Sequence, residues 1–162
     1  MIYVTVGTQK FNFDRLLKYI DNAIEIGCIQ DEVIAQIGYS EYIPKNYKYY
    51  RFIDKDQISD IVDKSRFIIT HGGSGNIIEN LKKNKKIIAV PRKSELKEHV
   101  DNHQFELVNK LSKSNMILKV ENEDEFLECI KKIEQFNPGN IDSILDNGKK
   151  INTIISEFIK GI

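Results

Sequence analysis

Arg66-Phe67-Ile68-Ile69-Thr70-His71-Gly72-Gly73-Ser74-Gly75-Asn76-Ile77-Ile78-Glu79 is the stretch on which the fold turns. Residues 66–70 read as a buried strand around Phe67-Ile68-Ile69. Glycine then fills three of the four positions 72–75, and a helical pattern starts straight after them. Glycines let a ligand approach the backbone closely, and a helix start offers unpaired N–H groups with a partial positive charge. The combination favours a phosphate-bearing ligand. A dinucleotide fingerprint counted from Gly73 needs a third glycine where Ile78 stands. A phosphate loop of the NTPase type needs Gly-Lys-Ser or Gly-Lys-Thr, which occurs nowhere in the chain. A hydrolase elbow centred on Ser74 needs a glycine where Asn76 stands. Ser74 therefore reads as a helix cap or a phosphate donor, and the plain alternative is a tight strand-to-helix turn. Glu79, one helical turn beyond Gly75, suits two vicinal ribose hydroxyls; its ordinary alternative is a solvated helix-face charge.

Outward from this loop, strand and helix periods alternate. Residues 2–6 form a hydrophobic strand, followed by Phe13, Leu16, Leu17, Ile20 and Ile24 at helical spacing. Glu32–Ile37 and Tyr47–Ile53 read as two further strands. Asp54 with Gln57 gives a capping-box pattern, Ile53 with Ile58 a hydrophobic staple, and Ile58, Ile61 and Val62 the apolar face behind them. A helix over 75–83, a strand over 86–90, a helix from about His99 to Leu111 and a strand over Met116–Val120 follow. Asn122 with Glu125 suggests a second capping box, ahead of Phe126, Ile130 and Ile133. After Asn137-Pro138-Gly139, a final amphipathic helix carries Ile141, Ile144, Leu145, Ile151, Ile154, Ile155, Phe158 and Ile159, as core packing or as a partner-docking stripe. The expectation is one α/β domain over 1–162, a doubly wound Rossmann-like parallel sheet with a helical C-terminal segment over about 121–162. In such sheets the ligand lies outside the carboxyl ends of the strands, where Gly7, Gly72–Gly75 and Pro91 all emerge.

The run from the strand through His71-Gly72-Gly73-Ser74-Gly75 to Glu79, the strand end Val90-Pro91 and then Asp101-Asn102-His103-Gln104 resembles the donor-binding half of family-28-type glycosyltransferases. The opening Met1-Ile2-Tyr3-Val4-Thr5-Val6-Gly7-Thr8-Gln9 looks like that half when it is encoded as a separate chain. The resemblance covers roughly residues 1–120. It implies a single GT-B half-domain, the soluble subunit of a two-component inverting transferase, metal-independent and without cofactor, with a UDP-sugar as substrate. Relatives of this kind make capsular and exopolysaccharides or add the second N-acetylglucosamine to a dolichol-linked carrier. Position by position it implies that Gly7 and Thr8 line the donor cleft, His71 through Gly75 face the diphosphate, and Glu79 holds the ribose. Asn102, His103 and Gln104 would contact the sugar and the adjacent phosphate. His71 is the catalytic candidate, better suited to donate to a phosphate than to act as base. Where many relatives carry Gly-Lys-Pro before the second strand, this chain reads Asn84-Lys85-Lys86, a change at a helix exit. Arg92-Lys93-Ser94-Glu95-Leu96-Lys97-Glu98 is unusually charged, and donor identity is expected to be tuned there.

Composition narrows the function further. The 24 basic side chains balance 24 acidic ones, so no global electrostatic case for nucleic acid exists. Lys82-Lys83 with Lys85-Lys86, and Lys149-Lys150, are local basic clusters, read either as solvated helix ends or as a lipid-facing surface. Cys28 and Cys129 lack metal or redox spacing and read as small buried apolar residues in a reducing compartment. No basic segment precedes the first strand and no apolar run nears the roughly 20 residues of a membrane span, so the expected location is cytoplasmic. Glycosyl transfer also needs an acceptor site and a base, which complete relatives carry on their other half. The expected partner is therefore a membrane-associated acceptor-binding subunit with a lipid-linked saccharide acceptor, which would recruit this chain to the inner membrane face. The competing readings are a non-catalytic subunit that binds a UDP-sugar or stabilises its partner, and a fragment of a nucleotide-sugar epimerase.

Overall fold

The computed structural model describes residues 1–142. The terminal helical pattern from Ile144 onward and Lys149-Lys150 lie outside the described residues. The elements in chain order are β1 (Ile2–Thr5), α1 (Asp14–Glu25), β2 (Val33–Gln36), β3 (Lys48–Tyr50), α2 (Lys55–Lys64), β4 (Phe67–His71), α3 (Ser74–Lys82), β5 (Lys86–Val90), α4 (His103–Lys113), β6 (Leu118–Lys119) and α5 (Glu123–Lys132), with a 3-10 turn at Ser94–Leu96. All pairings are parallel, in the order β3-β2-β1-β4-β5-β6. This is the Rossmann order, with its switch point between β1 and β4.

Alternation along the strands builds two cores. Ile2 and Val4, Val33 and Ala35, Phe67 and Ile69, Ile88 and Val90 pack against Leu16, Leu17 and Ile20 of α1 and Phe126 and Ile130 of α5. Tyr3, Ile68, Ile87 and Ala89 face the other way, against Val62 of α2, Ile77, Ile78 and Leu81 of α3, and Leu107, Val108 and Leu111 of α4. Helices cover both faces, so the central strands are buried along their whole length, as a parallel sheet requires.

Element boundaries depart from the sequence pattern where tertiary contacts intervene. β3 is shorter than Tyr47–Ile53 because its one neighbour, β2, ends at Gln36 opposite Tyr50. All three of its residues are exposed, as an edge strand allows. Tyr47 turns away, its hydroxyl donating to the Leu17 carbonyl at 3.0 Å. The Asp54–Gln57 capping box does not form: only the Asp54 carbonyl is used, by Ile58 N–H at 2.9 Å. Ile53 and Ile58 nevertheless both rest on the second core. At α5 the cap is made, Asn122 Oδ1 accepting Glu125 N–H at 2.9 Å, while the Glu125 carboxylate takes the Glu121 amide at 2.8 Å. Cys129 is buried, but Cys28 lies beyond the end of α1 and is only half-buried.

The basic cluster has mostly internal employment. Asn84 takes a left-handed φ of 56° at the exit of α3, a role that asparagine shares with glycine. Lys85 Nζ caps α2 through the carbonyls of Asp63 and Ser65, both at 2.9 Å. Lys86 Nζ donates to the carbonyls of Ile133 and Glu134 just past α5. Lys83 binds Ser59 and Asp63 on α2. These three ammoniums neutralise helix ends and neighbouring acids, which favours the helix-end reading over a lipid-facing one.

Candidate functional site

The loops leaving β1, β4 and β5 converge on a cleft of about 860 Å³ at the switch point. Gly7 follows β1 with φ +79°, its amide bonded to Thr5 Oγ1 at 3.1 Å. A Cβ on Gly7 would lie 2.7 Å from the His71 imidazole, and one on Gly73 would lie 2.4 Å from Nε2 of the same ring. The imidazole thus fills the gap between the two glycine loops. Gly72 is required for a different reason: its Cβ would strike Gln104 at 2.6 Å, so it lets α4 close on the loop. At Gly75 an added Cβ would meet nothing within 4 Å. Of the loop glycines, Gly75 is the one that fronts open space.

His71 is held in its neutral form. Burial is the main cause, and the charges of Arg92 and His99 add to it, taking its pKa down to about 3 despite a bond to the Thr5 backbone. Its Nδ1 lies 3.3 Å from Thr70 Oγ1. So held, the ring is a weak proton acceptor at neutral pH. Just beyond it, α3 begins at Ser74, and the first intrahelical bond is Ile77 N–H to the Gly73 carbonyl at 3.1 Å. The preceding amides therefore have no intrahelical acceptor. Ser74 Oγ is buried without a hydrogen-bond partner, so it does not cap the helix. An unsatisfied buried hydroxyl beside a helix N-terminus is what an anionic ligand would satisfy.

The remaining wall comes from α3 and α4. Glu79, exposed, lines the cleft one turn beyond Gly75, and His103, Gln104, Glu106, Leu107 and Lys110 line it from α4. Thr8 also lines the cleft, from the loop after β1. Gln104 Oε1 accepts two amides, Gly72 at 3.2 Å and Arg92 at 3.1 Å, tying the β4 exit to the β5 exit. Asn102 does not line the cleft; its Oδ1 accepts the Ser94 amide at 3.0 Å. α4 starts at His103 rather than near His99 because the Asp101 carboxylate takes the His103 amide at 3.0 Å and the chain before it folds into the 3-10 turn. That same bond is the main reason the Asp101 carboxyl lies below its usual range. His99 Nε2 meets Gln9 Oε1 at 2.9 Å across the cleft mouth. The sequence holds one Asp-x-Asp spacing, Asp54-Lys55-Asp56 at the start of α2, with both carboxylates exposed and neither in the lining.

Two groups of residues escaped sequence reasoning. The first is the polar floor: Tyr3, Thr5 and Gln36 are buried beneath the cleft, with Gln36 Oε1 bound to the Ile53 amide at 3.0 Å. Burial pushes the Tyr3 hydroxyl up to about 12. A polar residue closing an apolar strand, at Thr5, Gln36 and Thr70, was the available signal. The second is Arg92, fully buried, which together with buried Glu98 corrects the expectation for the charged stretch 92–98. Glu98 turns inward to a two-pronged pair with Arg15, both bonds at 2.9 Å. None of residues 92–98 lines the cleft, so the stretch braces the site rather than touching what it holds.

Comparison with known proteins supplies the last observations. The glycosyltransferase family 28 C-terminal domain matches residues 1–156. The UDP-N-acetylglucosamine transferase subunit ALG13 of Mus musculus is 26% identical over 125 residues, covering 68% of this chain and 10% of that protein. Its Homo sapiens counterpart is 28% identical over 123 residues, covering 69% of this chain and 10% of that protein. The chain thus spans about a tenth of the length of these curated relatives. In structure it resembles the calicheamicin glycosyltransferase CalG4 (TM-score 0.57, 13% identity, 82% of this chain and 34% of that one). It also resembles the glycosyltransferase SnogD from Streptomyces nogalater (TM-score 0.51, 15% identity, 95% and 43%). At these identities the structural likeness shows the fold, that of one half of a GT-B enzyme.

Proposed function

The chain belongs to the glycosyltransferase family 28 C-terminal domain family, and from that premise we propose that it is the donor-binding subunit of an inverting transferase that uses a UDP-sugar. The observation that carries this is the open N-terminus of α3, where amides without intrahelical acceptors border a cleft with Glu79 one turn away. The diphosphate sits on the amides of Ser74, Gly75 and Asn76, and Glu79 accepts the two ribose hydroxyls. Thr8, His103 and Gln104 border the sugar and its phosphate, while Gly7, Gly72 and Gly73 let the walls approach. His71 serves as the neutral spacer between the loops. In this reading the leaving diphosphate is met by hydrogen-bond donors and dipoles, without metal or cofactor.

The acceptor site and the base belong to a second, membrane-associated chain that presents a lipid-linked saccharide at the inner membrane face. Support comes from the half-enzyme fold and from relatives whose name includes the word subunit. Calorimetric titration with UDP, UDP-N-acetylglucosamine, UDP-galactose and ADP, in chelator and in magnesium, tests the donor site. The expected result is chelator-insensitive binding of uridine nucleotides, weakened about ten- to a hundredfold in Glu79→Ala, the worth of hydrogen bonds to a charged acceptor. Binding of ADP as tight as UDP, or an unaffected Glu79→Ala variant, would overturn it. In the complex with its partner, Glu79→Ala should lower transfer at subsaturating UDP-sugar by the same factor; unchanged transfer would favour a stabilising subunit without chemistry of its own.

A further inference from the structure

Arg92 is the first residue but one after β5 and is completely enclosed. Its guanidinium donates to the carbonyls of Phe11 at 3.1 Å, Glu98 at 2.9 Å and Val6, while Nε has no partner. The Phe13 ring lies 5.0 Å away. The nearby carboxylate is that of Glu98, and Arg15 already grips both of its oxygens, with the Lys93 amide added at 2.8 Å. Two guanidiniums therefore share one carboxylate, leaving one surplus positive charge inside the protein. Burial pushes Arg92 down to about 10, which still leaves it charged at neutral pH.

Enclosing a cation without its own counterion is costly, and an apolar side chain of similar size commonly serves packing as well or better. The location gives the charge a use. Val6 O, which Arg92 holds, belongs to the peptide that leads into Gly7, and the Arg92 amide shares Gln104 Oε1 with that of Gly72. The same charge depresses the protonation of His71, which lies between the two glycine loops. The charged side chains of the lining lean acidic, Glu79, Asp101 and Glu106 against Lys110 as the one lysine or arginine among the described residues. A helix N-terminus contributes only about half a unit of positive charge. Resting on the donor-site reading above, we propose that the surplus charge of Arg92, left over by the Arg15–Glu98 pair, supplies through space the positive potential that holds the nucleotide diphosphate at the glycine loop.

Wild type, Arg92→Gln, Arg92→Lys and Glu98→Gln are titrated with UDP, uridine and inorganic pyrophosphate in chelator at low salt, after circular dichroism and thermal melts establish folding. Arg92→Gln should weaken UDP and pyrophosphate roughly tenfold, as loss of a charge acting through space in a partly solvated site does, and leave uridine unchanged. Arg92→Lys should keep most of the preference for UDP over uridine. Glu98→Gln, which raises the surplus, should tighten UDP several-fold and not uridine. A purely structural Arg92 would weaken all three probes together, and that result overturns the proposal. If Arg92→Gln does not fold, Glu98→Gln decides: an unchanged UDP-to-uridine ratio overturns it. Wild type binding uridine no worse than UDP would sink this inference and leave the nucleoside site standing. Binding of none of the three would remove the donor-site reading and this inference with it.

Discussion

A Cβ on Gly73 would sit 2.4 Å from the His71 ring, whereas one on Gly75 would meet nothing within 4 Å. Gly73→Ala must displace the buried imidazole and should cost about 1–3 kcal/mol in urea unfolding, the range for overpacking. Gly75→Ala, in the first turn of α3, should leave stability unchanged or raise it by up to about 1 kcal/mol while weakening UDP binding, because the methyl enters space the ligand needs. The same two preparations, melted and then titrated, check both halves. The glycine cluster was legible from spacing alone as a strand-to-helix loop bordering a cleft. Which glycine serves packing and which fronts open space was not, because the deciding partners, His71 and Gln104, reach the loop through tertiary structure. Arg92 was visible only as one charge in a charged run; nothing local marks a cation that will be enclosed by the carbonyls of a distant loop.

Among the elements, two capping-box patterns had opposite fates. Asn122 caps α5 with its side chain, and Asp54 makes no side-chain bond to α2. Asn122→Ala should therefore cost about 1 kcal/mol of unfolding free energy. Asp54→Ala should stay within about 0.5 kcal/mol. Denaturant midpoints of the two variants, at constant m, decide. Helix and strand identity was readable throughout the described chain because the apolar periods are strong: every predicted strand and helix up to Ile133 has a counterpart. Ends were less readable. β3 shortens where β2 stops pairing, and α4 starts late because Asp101 and the 3-10 turn claim residues whose spacing would suit a helix.

For the molecule as a whole, acid should act through His71 before it acts through the carboxylates. The imidazole is neutral when folded down to about pH 3, while in the unfolded chain it takes a proton near pH 6.5. Between those values the unfolded state binds the extra proton, so stability is full above about pH 7 and falls as pH drops, by up to about 1.4 kcal/mol per pH unit. Urea unfolding between pH 7 and 5 should show this slope in the wild type and lose it in His71→Asn; equal slopes would refute the neutral, buried ring. The doubly wound layout follows from the alternation of apolar strands and amphipathic helices, and the cleft's place from where glycines leave those strands. A mechanical consequence remains in the ties between loops. The His71 ring abuts the β1 and β4 exits, Gln104 staples β4 to β5, and Arg92 staples β5 back to β1. Triangulated in this way, the three exits are braced against one another like a single jaw. In the two-chain enzyme proposed above, closure on a nucleotide would then fall to the second body swinging against this one, and the turnover rate would be set at the joint between them.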